Sequence, residues 1–262
     1  MTLPDIQRIN QIARQAGEAI LQIYAQDFEV REKADHSPLT QADMASHQLI
    51  EDALGRLTPD IPVLSEESAA IPLAERRQWR RYWLIDPLDG TREFIKRNGE
   101  FTVNIALVEQ GFPVLGVVHV PVTGVTYFGD TVDGAFRQEA QGNPEQIRVA
   151  RPCATPVRVA GSRSHAGDSL VQFLRKLPGY EIISMGSSLK LCLVAEGKAD
   201  IYPRLGPTSE WDTAAAQAVV EAAGGQVTDT KLHRLRYNQK DSLLNPHFLV
   251  FGDNAIDWSA FL

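Results

Sequence analysis

The sequence predicts a layered protein of mixed secondary structure, α+β in its first half and α/β in its second. Three observations carry this. Two long stretches of helical hydrophobic period open the chain, and five short β-rich runs between glycine and proline turns follow. After them, strands alternate with helices to the end.

Ile6, Ile9, Ala13, Ala16, Ile20, Ile23 and Tyr24 recur every three or four residues, so 5–25 is read as an amphipathic helix. "KADHSPLT" is a turn-rich loop. Thr40 then stands as an N-cap, with Asp43 three residues on. Met44, Ile50, Leu54 and Leu57 extend that signal into a second helix over 41–57. "IPVLSEES" reads as a short strand ending in two glutamates, and "RYWLID" as another ending in Asp86. "GTREF" opens a helical turn. "FTVNIALVE", "FPVLGVVHV", "GVTYFGD", "DGAFRQ" and "QIRVA" form an antiparallel meander, segregated from the helices as in α+β layering.

Beyond "ARPCATP" the pattern alternates. "VRVAGS", "YEIISM", "ADIYPR" and "HFLVFG" read as strands, and "GDSLVQFLRKL", "SSLKLCLVAEG" and "WDTAAAQAVVEAAGG" as helices. The chain is therefore divided into an α+β subdomain over 1–152 and an α/β subdomain over 153–262.

A length of 262 residues suits one large domain or two intimate subdomains. Its 44% hydrophobic and 23% charged residues are those of an ordinary globular protein. A net charge of −7 argues against a non-specific nucleic-acid binder, which carries a basic face. An anionic substrate would need metal cations or a local basic pocket. Cys153 and Cys192 belong to no CxxC or Cys/His spacing, which argues against a zinc site. The N-terminal segment lacks the apolar core of a signal peptide. The longest apolar candidate, Phe101 to Val122, is broken by Asn104, Glu109, Gln110 and two prolines. The expectation is a soluble, reduced, cytoplasmic protein without a transmembrane segment.

The chemistry concentrates in "IDPLDGTREF". Asp-Pro and Asp-Gly are common turn dipeptides, and alone they specify no more than a turn. Here they follow a strongly apolar strand, which puts Asp86 at a strand's C-terminal end. Pro87 forces an extended turn, and Gly90 lets backbone approach a ligand closely. Backbone N–H groups at the start of "GTREF" favour an anion. Glu66 ends a neighbouring strand and reads equally as surface charge or as a functional group. Asp43 lies in the first turn of the second helix. Asp212 opens another helix, where a dipole role is the simpler reading. Together these acids would repel one another unless cations held them. Oxygen ligands without paired cysteines or histidines point to magnesium.

"WLIDPLDGTREF", "LSEES" and "WDTAAAQAVVEAAGG", in this order and separation, resemble the inositol monophosphatase-like family of lithium-sensitive, magnesium-dependent phosphomonoesterases. Over essentially the whole chain the resemblance is to its bacterial 3′(2′),5′-bisphosphate nucleotidase branch. That likeness is carried by "KADHSPLTQAD", "IKRNGEFTVNIALVE", "SRSH", "GSSLKLCLVAEGKAD" and "YPRLGPTSEWDTAAA". Arg92 stands where the branch usually shows lysine, which keeps the charge although the two cations differ at a phosphate.

The resemblance implies a layered αβαβα sandwich with an antiparallel N-terminal sheet and a smaller mixed C-terminal sheet. It implies that Glu66, Asp86 and the Leu88 carbonyl hold one Mg2+, that Asp86, Asp89 and Asp212 hold a second, and that Asp43 supports a weaker third. Gly90 and Thr91 would present N–H groups to the scissile phosphate. A water near Glu66 and Thr91 would attack in line, with Thr102 and Asp43 assisting. His165 of "SRSH", Gly186, Ser187, Lys190 and Arg204 would receive the rest of the substrate, beside Glu66, Leu88, Asp89 and Asp212. A lone histidine or an ordinary N-cap is the simpler reading of His165 and of "GSS" by residue type alone.

The implied reaction is hydrolysis of adenosine 3′,5′-bisphosphate to AMP and phosphate in sulfate assimilation. The activated sulfate donor is a second candidate substrate, and lithium or sodium would inhibit. The nearest alternatives are an inositol monophosphate or fructose 1,6-bisphosphate phosphatase of the same fold, against which "GSSLK" and "SRSH" argue. A non-catalytic regulatory homologue conflicts with the complete ligand set. The partner is a small nucleotide, not a nucleic acid. The resemblance leaves monomer and homodimer both open, and peripheral attachment to the inner membrane leaves no mark in the sequence.

Overall fold

Five layers stack in the order helix, sheet, helix, sheet, helix. The computed structural model describes residues 3–26, 30–32, 38–162 and 168–262. The outer helices are α1 (Ile6–Tyr24) and α2 (Gln41–Leu57), with strands β1 (Val30–Glu32) and β2 (Pro38–Thr40) paired antiparallel between them. Next come β3 (Val63–Ser65), the short α3 (Leu73–Arg76), β4 (Arg81–Asp89) and α4 (Thr91–Ile95). A meander follows: β5 (Thr102–Glu109), β6 (Phe112–His119), β7 (Thr126–Asp130), β8 (Gly134–Gln138) and β9 (Glu145–Gln146). The second half holds β10 (Val157–Ser162), α5 (Asp168–Lys176), β11 (Tyr180–Met185), α6 (Leu189–Ala195), β12 (Ile201–Arg204), α7 (Ala214–Ala222), β13 (Gln226–Asp229) and β14 (Phe248–Phe251).

The first sheet has seven strands in sequential order, β3 to β9. Ile9, Ala13, Ala16 and Ile20 of α1 and Ile50 and Leu54 of α2 bury their apolar stripe against its Trp83, Ile85, Ile105 and Leu107. The opposite face, with Leu84, Ala106, Val108 and Val118, packs on Leu191, Ala215 and Val219 of α6 and α7. The second sheet has the order β11-β10-β12-β14-β13 and is mixed, with β10–β12 parallel and β13 and β14 antiparallel. Phe173 and Leu174 of α5 close its outer face together with Trp258. The αβαβα expectation is borne out. No helix among the described residues is long and apolar enough to cross a membrane.

The expected antiparallel character of the first sheet needs one correction, because β3 runs parallel to β4. The chain between them makes a crossover through α3 and returns in the same direction. The strand read into "IPVLSEES" shrinks to Val63–Ser65, and Glu66–Ser68 form a 3-10 turn. "QIRVA" leaves the sheet after Gln146, because the Val149 N–H bonds the Ala223 carbonyl after α7 instead of a strand. The helix expected over 211–225 starts at Ala214. That of "SSLKLCLVAEG" starts at Leu189, since Ser187 takes a left-handed φ of +43°. The turn-rich loop "KADHSPLT" contains β2 at its end.

α7 lies unusually close to the first sheet. A Cβ on Gly116 of β6 would sit 2.1 Å from the Ala215 carbonyl oxygen, so only glycine admits the helix here. That close approach carries Asp212, just before α7, to the C-terminal end of β4.

Candidate active site

The carboxylates converge because three chain segments end at one place. β4 pairs with β5 residue by residue until Asp86 meets Asn104, and the register then shifts so that Asp89 meets Thr102. Pro87 and Leu88 stand opposite the single Val103, a β-bulge with one extra residue and not a turn that ends the strand. The Leu88 N–H donates to Asp86 Oδ1 at 3.0 Å, and Ser46 Oγ donates to the Pro87 carbonyl at 2.7 Å. The bulge thus turns both aspartates toward one side. Gly90 follows in the left-handed region, with φ +95° and ψ 42°, and opens α4.

Each remaining acid has its own support. β3 lies beside β4 with Ser65 opposite Ile85, which brings Glu66 to Asp86. Ser65 Oγ is 2.9 Å from His47 Nδ1 and accepts the Glu67 N–H at 3.3 Å. Asp43 completes a capping box, its Oδ2 accepting from the Thr40 N–H at 2.8 Å and from Thr40 Oγ1 at 2.7 Å. Its other oxygen accepts from Thr91 Oγ1 at 3.3 Å, and the Leu88 carbonyl lies 3.4 Å from that hydroxyl. Asp212 precedes α7 in a turn and accepts the Ser209 N–H at 2.9 Å. It is a loop residue, not the first-turn helical residue the sequence suggested.

Asp86, Asp89 and Asp212 each place one oxygen within 4.8 Å of the others. Burial first, and then the charges of Glu66, Asp89 and Asp212, push the Asp86 carboxyl well above its ordinary range. Asp212 is raised in the same way, by burial and by Asp89 and Glu66. Asp89 is raised by burial, against the pull of the Lys190 ammonium, the Ser188 N–H and the Asn104 amide. Such a set holds several ionised carboxylates only when a cation joins them. All the donors are oxygen, which suits a hard divalent ion. The residues therefore fit the magnesium that the sequence suggested.

The cleft beside the cluster is lined by Asp89, Glu93, Ser187, Lys190, Tyr202 and Arg204, among others. Gly186 and Ser187 form part of its wall. Lys190 is buried, and its ammonium donates to the Ser187 carbonyl at 2.6 Å and lies 3.4 Å from that of Met185. Arg204 donates to Thr208 Oγ1 and to the Pro207 carbonyl. Thr102 Oγ1 faces Asp89 Oδ2 at 3.4 Å, whereas Asp43 faces Thr91, so the two expected helpers serve different groups. His165 lies outside the described residues, as do Arg163 and Ser164.

Sequence reasoning missed Asn104, Ser188 and Glu100. Asn104 Oδ1 accepts from Ser188 Oγ at 2.9 Å, and Glu100 Oε2 accepts the Gly186 N–H at 2.8 Å. One signal was present: Thr102 and Asn104 alternate with Val103 and Ile105, two polar residues on one face of an otherwise apolar strand.

A model of the inositol monophosphatase family matches residues 4–251. The 3′(2′),5′-bisphosphate nucleotidase CysQ of Salmonella typhimurium is 53% identical over 248 residues, 94% of this chain and 98% of that protein. CysQ of Escherichia coli K12 is 52% identical over the same shares. The crystal structure of CysQ from Bacteroides thetaiotaomicron superposes with a TM-score of 0.80 at 42% identity, covering 94% of this chain and 97% of the other. An inositol monophosphatase from Thermotoga maritima gives a TM-score of 0.79 at 25% identity, with 98% and 95% covered.

Proposed function

The chain belongs to the inositol monophosphatase family, and on that premise we propose that it is a magnesium-dependent 3′(2′),5′-bisphosphate nucleotidase releasing AMP and phosphate from adenosine 3′,5′-bisphosphate. The observation that carries the reading is the oxygen cluster of Asp86, Asp89 and Asp212 opening directly onto a cleft that Lys190 and Arg204 also line. Identity above 50% to CysQ proteins over almost their whole length supports the substrate class.

Glu66, Asp86, the Leu88 carbonyl, Asp89 and Asp212 would hold the ions. Bound magnesium supplies neutralisation of the phosphoryl oxygens and acidification of a water. The protein's own groups supply orientation. The Thr91 hydroxyl donates a hydrogen bond to Asp43, which leaves its lone pairs free to accept a hydrogen bond from the attacking water and so orient it. Glu66, next to Asp86, would take the one proton that the water loses on attack. Gly90 and Thr91 present backbone N–H groups to the phosphate. Residues 1–152 would thus supply the attack and 153–262 the binding of the nucleotide, with Asp212 as the second half's carboxylate. Displacement of a held cation by lithium would inhibit.

The test is a substrate panel with magnesium: adenosine 3′,5′-bisphosphate, inositol monophosphate and fructose 1,6-bisphosphate. The nucleotide is expected to be turned over fastest, and a strong preference for inositol monophosphate would overturn the substrate. Asp89→Asn, which removes charge with little change of shape, is expected to lower phosphate release by 100-fold or more, on the order of losing an electrostatic group of the transition state. Wild-type release by that variant would overturn the ligand assignment.

A further inference from the structure

Asp89 is the carboxylate that both halves of the protein touch. Its Oδ2 accepts the Ser188 N–H at 2.5 Å and lies 3.4 Å from Thr102 Oγ1 and 3.5 Å from Asn104 Nδ2. Those partners are themselves joined. The hydroxyls of Ser188 and Thr102 are 2.8 Å apart, and the Asn104 carbonyl oxygen lies 2.9 Å from the first and 3.1 Å from the second. Thr102 and Asn104 are 0% exposed and Ser188 is 2% exposed, so no water competes for these bonds.

Ser188 is also part of the cleft wall. Ser187 before it has a φ of +43°, and α6 starts directly after it. The wall is held from two sides, by Lys190 on the Ser187 carbonyl and by Glu100 on the Gly186 N–H. A Cβ on Gly186 would come within 2.9 Å of Glu93 and Glu100, so the wall lies tight on the segment that follows the bulge. Ser187, on the cleft wall, is thus joined directly to the residue whose N–H orients the Asp89 carboxylate.

Taking the cluster as the metal site of the nucleotidase reading, we infer that Ser188 and Asn104 are positioning residues for Asp89, clamping it so that ligand binding on the Gly186–Lys190 wall is coupled to cation binding. The amide of Asn104 and the hydroxyl of Ser188 act as one unit through their mutual bond. The coupling is reciprocal: whatever AMP does for magnesium affinity, magnesium does for AMP affinity.

The experiment is calorimetric titration of the full chain with Mg2+, without and with AMP, for the wild type, Ser188→Ala, Asn104→Ala and the double variant. Ser188→Ala removes one buried oxygen and keeps the backbone N–H, so the fold is retained. Outer partners of a ligating carboxylate typically set metal affinity by about 10–100-fold, so each single substitution is expected to weaken magnesium binding about tenfold. The double variant is expected to bind no more weakly than the worse single one, because one linked unit is lost only once. AMP is expected to tighten magnesium binding in the wild type and to do so less in Ser188→Ala.

Unfolding midpoints are followed in parallel. A lowered midpoint with unchanged magnesium affinity makes the residues merely structural and overturns the clamp, as do additive losses in the double variant. A wild type that hydrolyses adenosine 3′,5′-bisphosphate and binds magnesium, beside variants that bind it equally well, overturns the clamp alone. A wild type that does neither overturns the nucleotidase reading, and the clamp with it.

Discussion

Acidification should destabilise this fold through one histidine outside the carboxylate cluster. His119, at the end of β6, is buried, with its Nδ1 2.9 Å from Thr126 Oγ1. Its ring packs so closely on α1 that a Cβ on Gly17 would stand 2.7 Å from it. Burial, and then the Arg14 guanidinium, lower its pKa to about 4 from an ordinary 6.5. The unfolded chain therefore takes up a proton below pH 6.5 that the folded chain refuses until about pH 4. Stability from this group is complete above pH 6.5 and is lost as pH falls toward 4. At about 1.4 kcal/mol per pH unit the full loss is ~3 kcal/mol, of which ~2 kcal/mol is gone at pH 5. The carboxylates with raised pKa values act in the opposite direction, so the wild-type profile alone is ambiguous. His119→Asn cannot titrate and isolates the histidine's contribution. Urea unfolding in EDTA at pH 7, 6 and 5 is expected to show the wild type losing ~2 kcal/mol relative to His119→Asn between the first and last pH. A difference between the two proteins that stays flat across that range would refute the reasoning.

Two further outcomes follow from the same structure. Gly116→Ala places a methyl 2.1 Å from the Ala215 carbonyl and must displace α7, at a cost of about 1–3 kcal/mol. Denaturant midpoints read that cost, and titration should show weaker magnesium binding, because Asp212 moves with the helix. Asp86→Asn removes one charge from a crowded buried set. In EDTA its thermal midpoint is expected to rise, by about 2–4 °C for each kcal/mol of repulsion relieved, while the rise that magnesium causes in the wild type disappears. A midpoint that falls in EDTA would mean that the cluster is not repulsive without metal.

The layers were legible because each has its own period. Ile9, Ala13, Ala16 and Ile20 mark one face of α1, and short β-rich runs between glycine and proline turns mark the meander. The carboxylates were legible as types, because the Asp-Pro and Asp-Gly pairs directly follow a strongly apolar strand. Their geometry was not. The bulge at Pro87 and Leu88 exists only in the pairing of β4 with β5, and no local pattern encodes a register shift. β13 is four residues long and takes its identity from pairing with β14, so "GGQVTD" alone reads as a helix stop. Lys190 was expected among the groups that receive the rest of the substrate, and no sequence pattern showed that its ammonium lies on the carbonyls of its own loop, beside the left-handed Ser187.

Lys190 shows why a charged residue beside a site should be weighed by its committed bonds. Two loop carbonyls surround its ammonium, and Asp89 contributes the strongest favourable charge it feels. It is placed less as a free cation awaiting an anion than as the fastener that keeps Ser188 on Asp89. A phosphate entering the cleft would have to compete with those carbonyls, whereas Arg204 spends its bonds on Thr208 and Pro207 at the exposed rim. The two cations thus differ by burial: Lys190 is buried and bonded beside the Asp89 carboxylate, and Arg204 lies further out with its own loop partners.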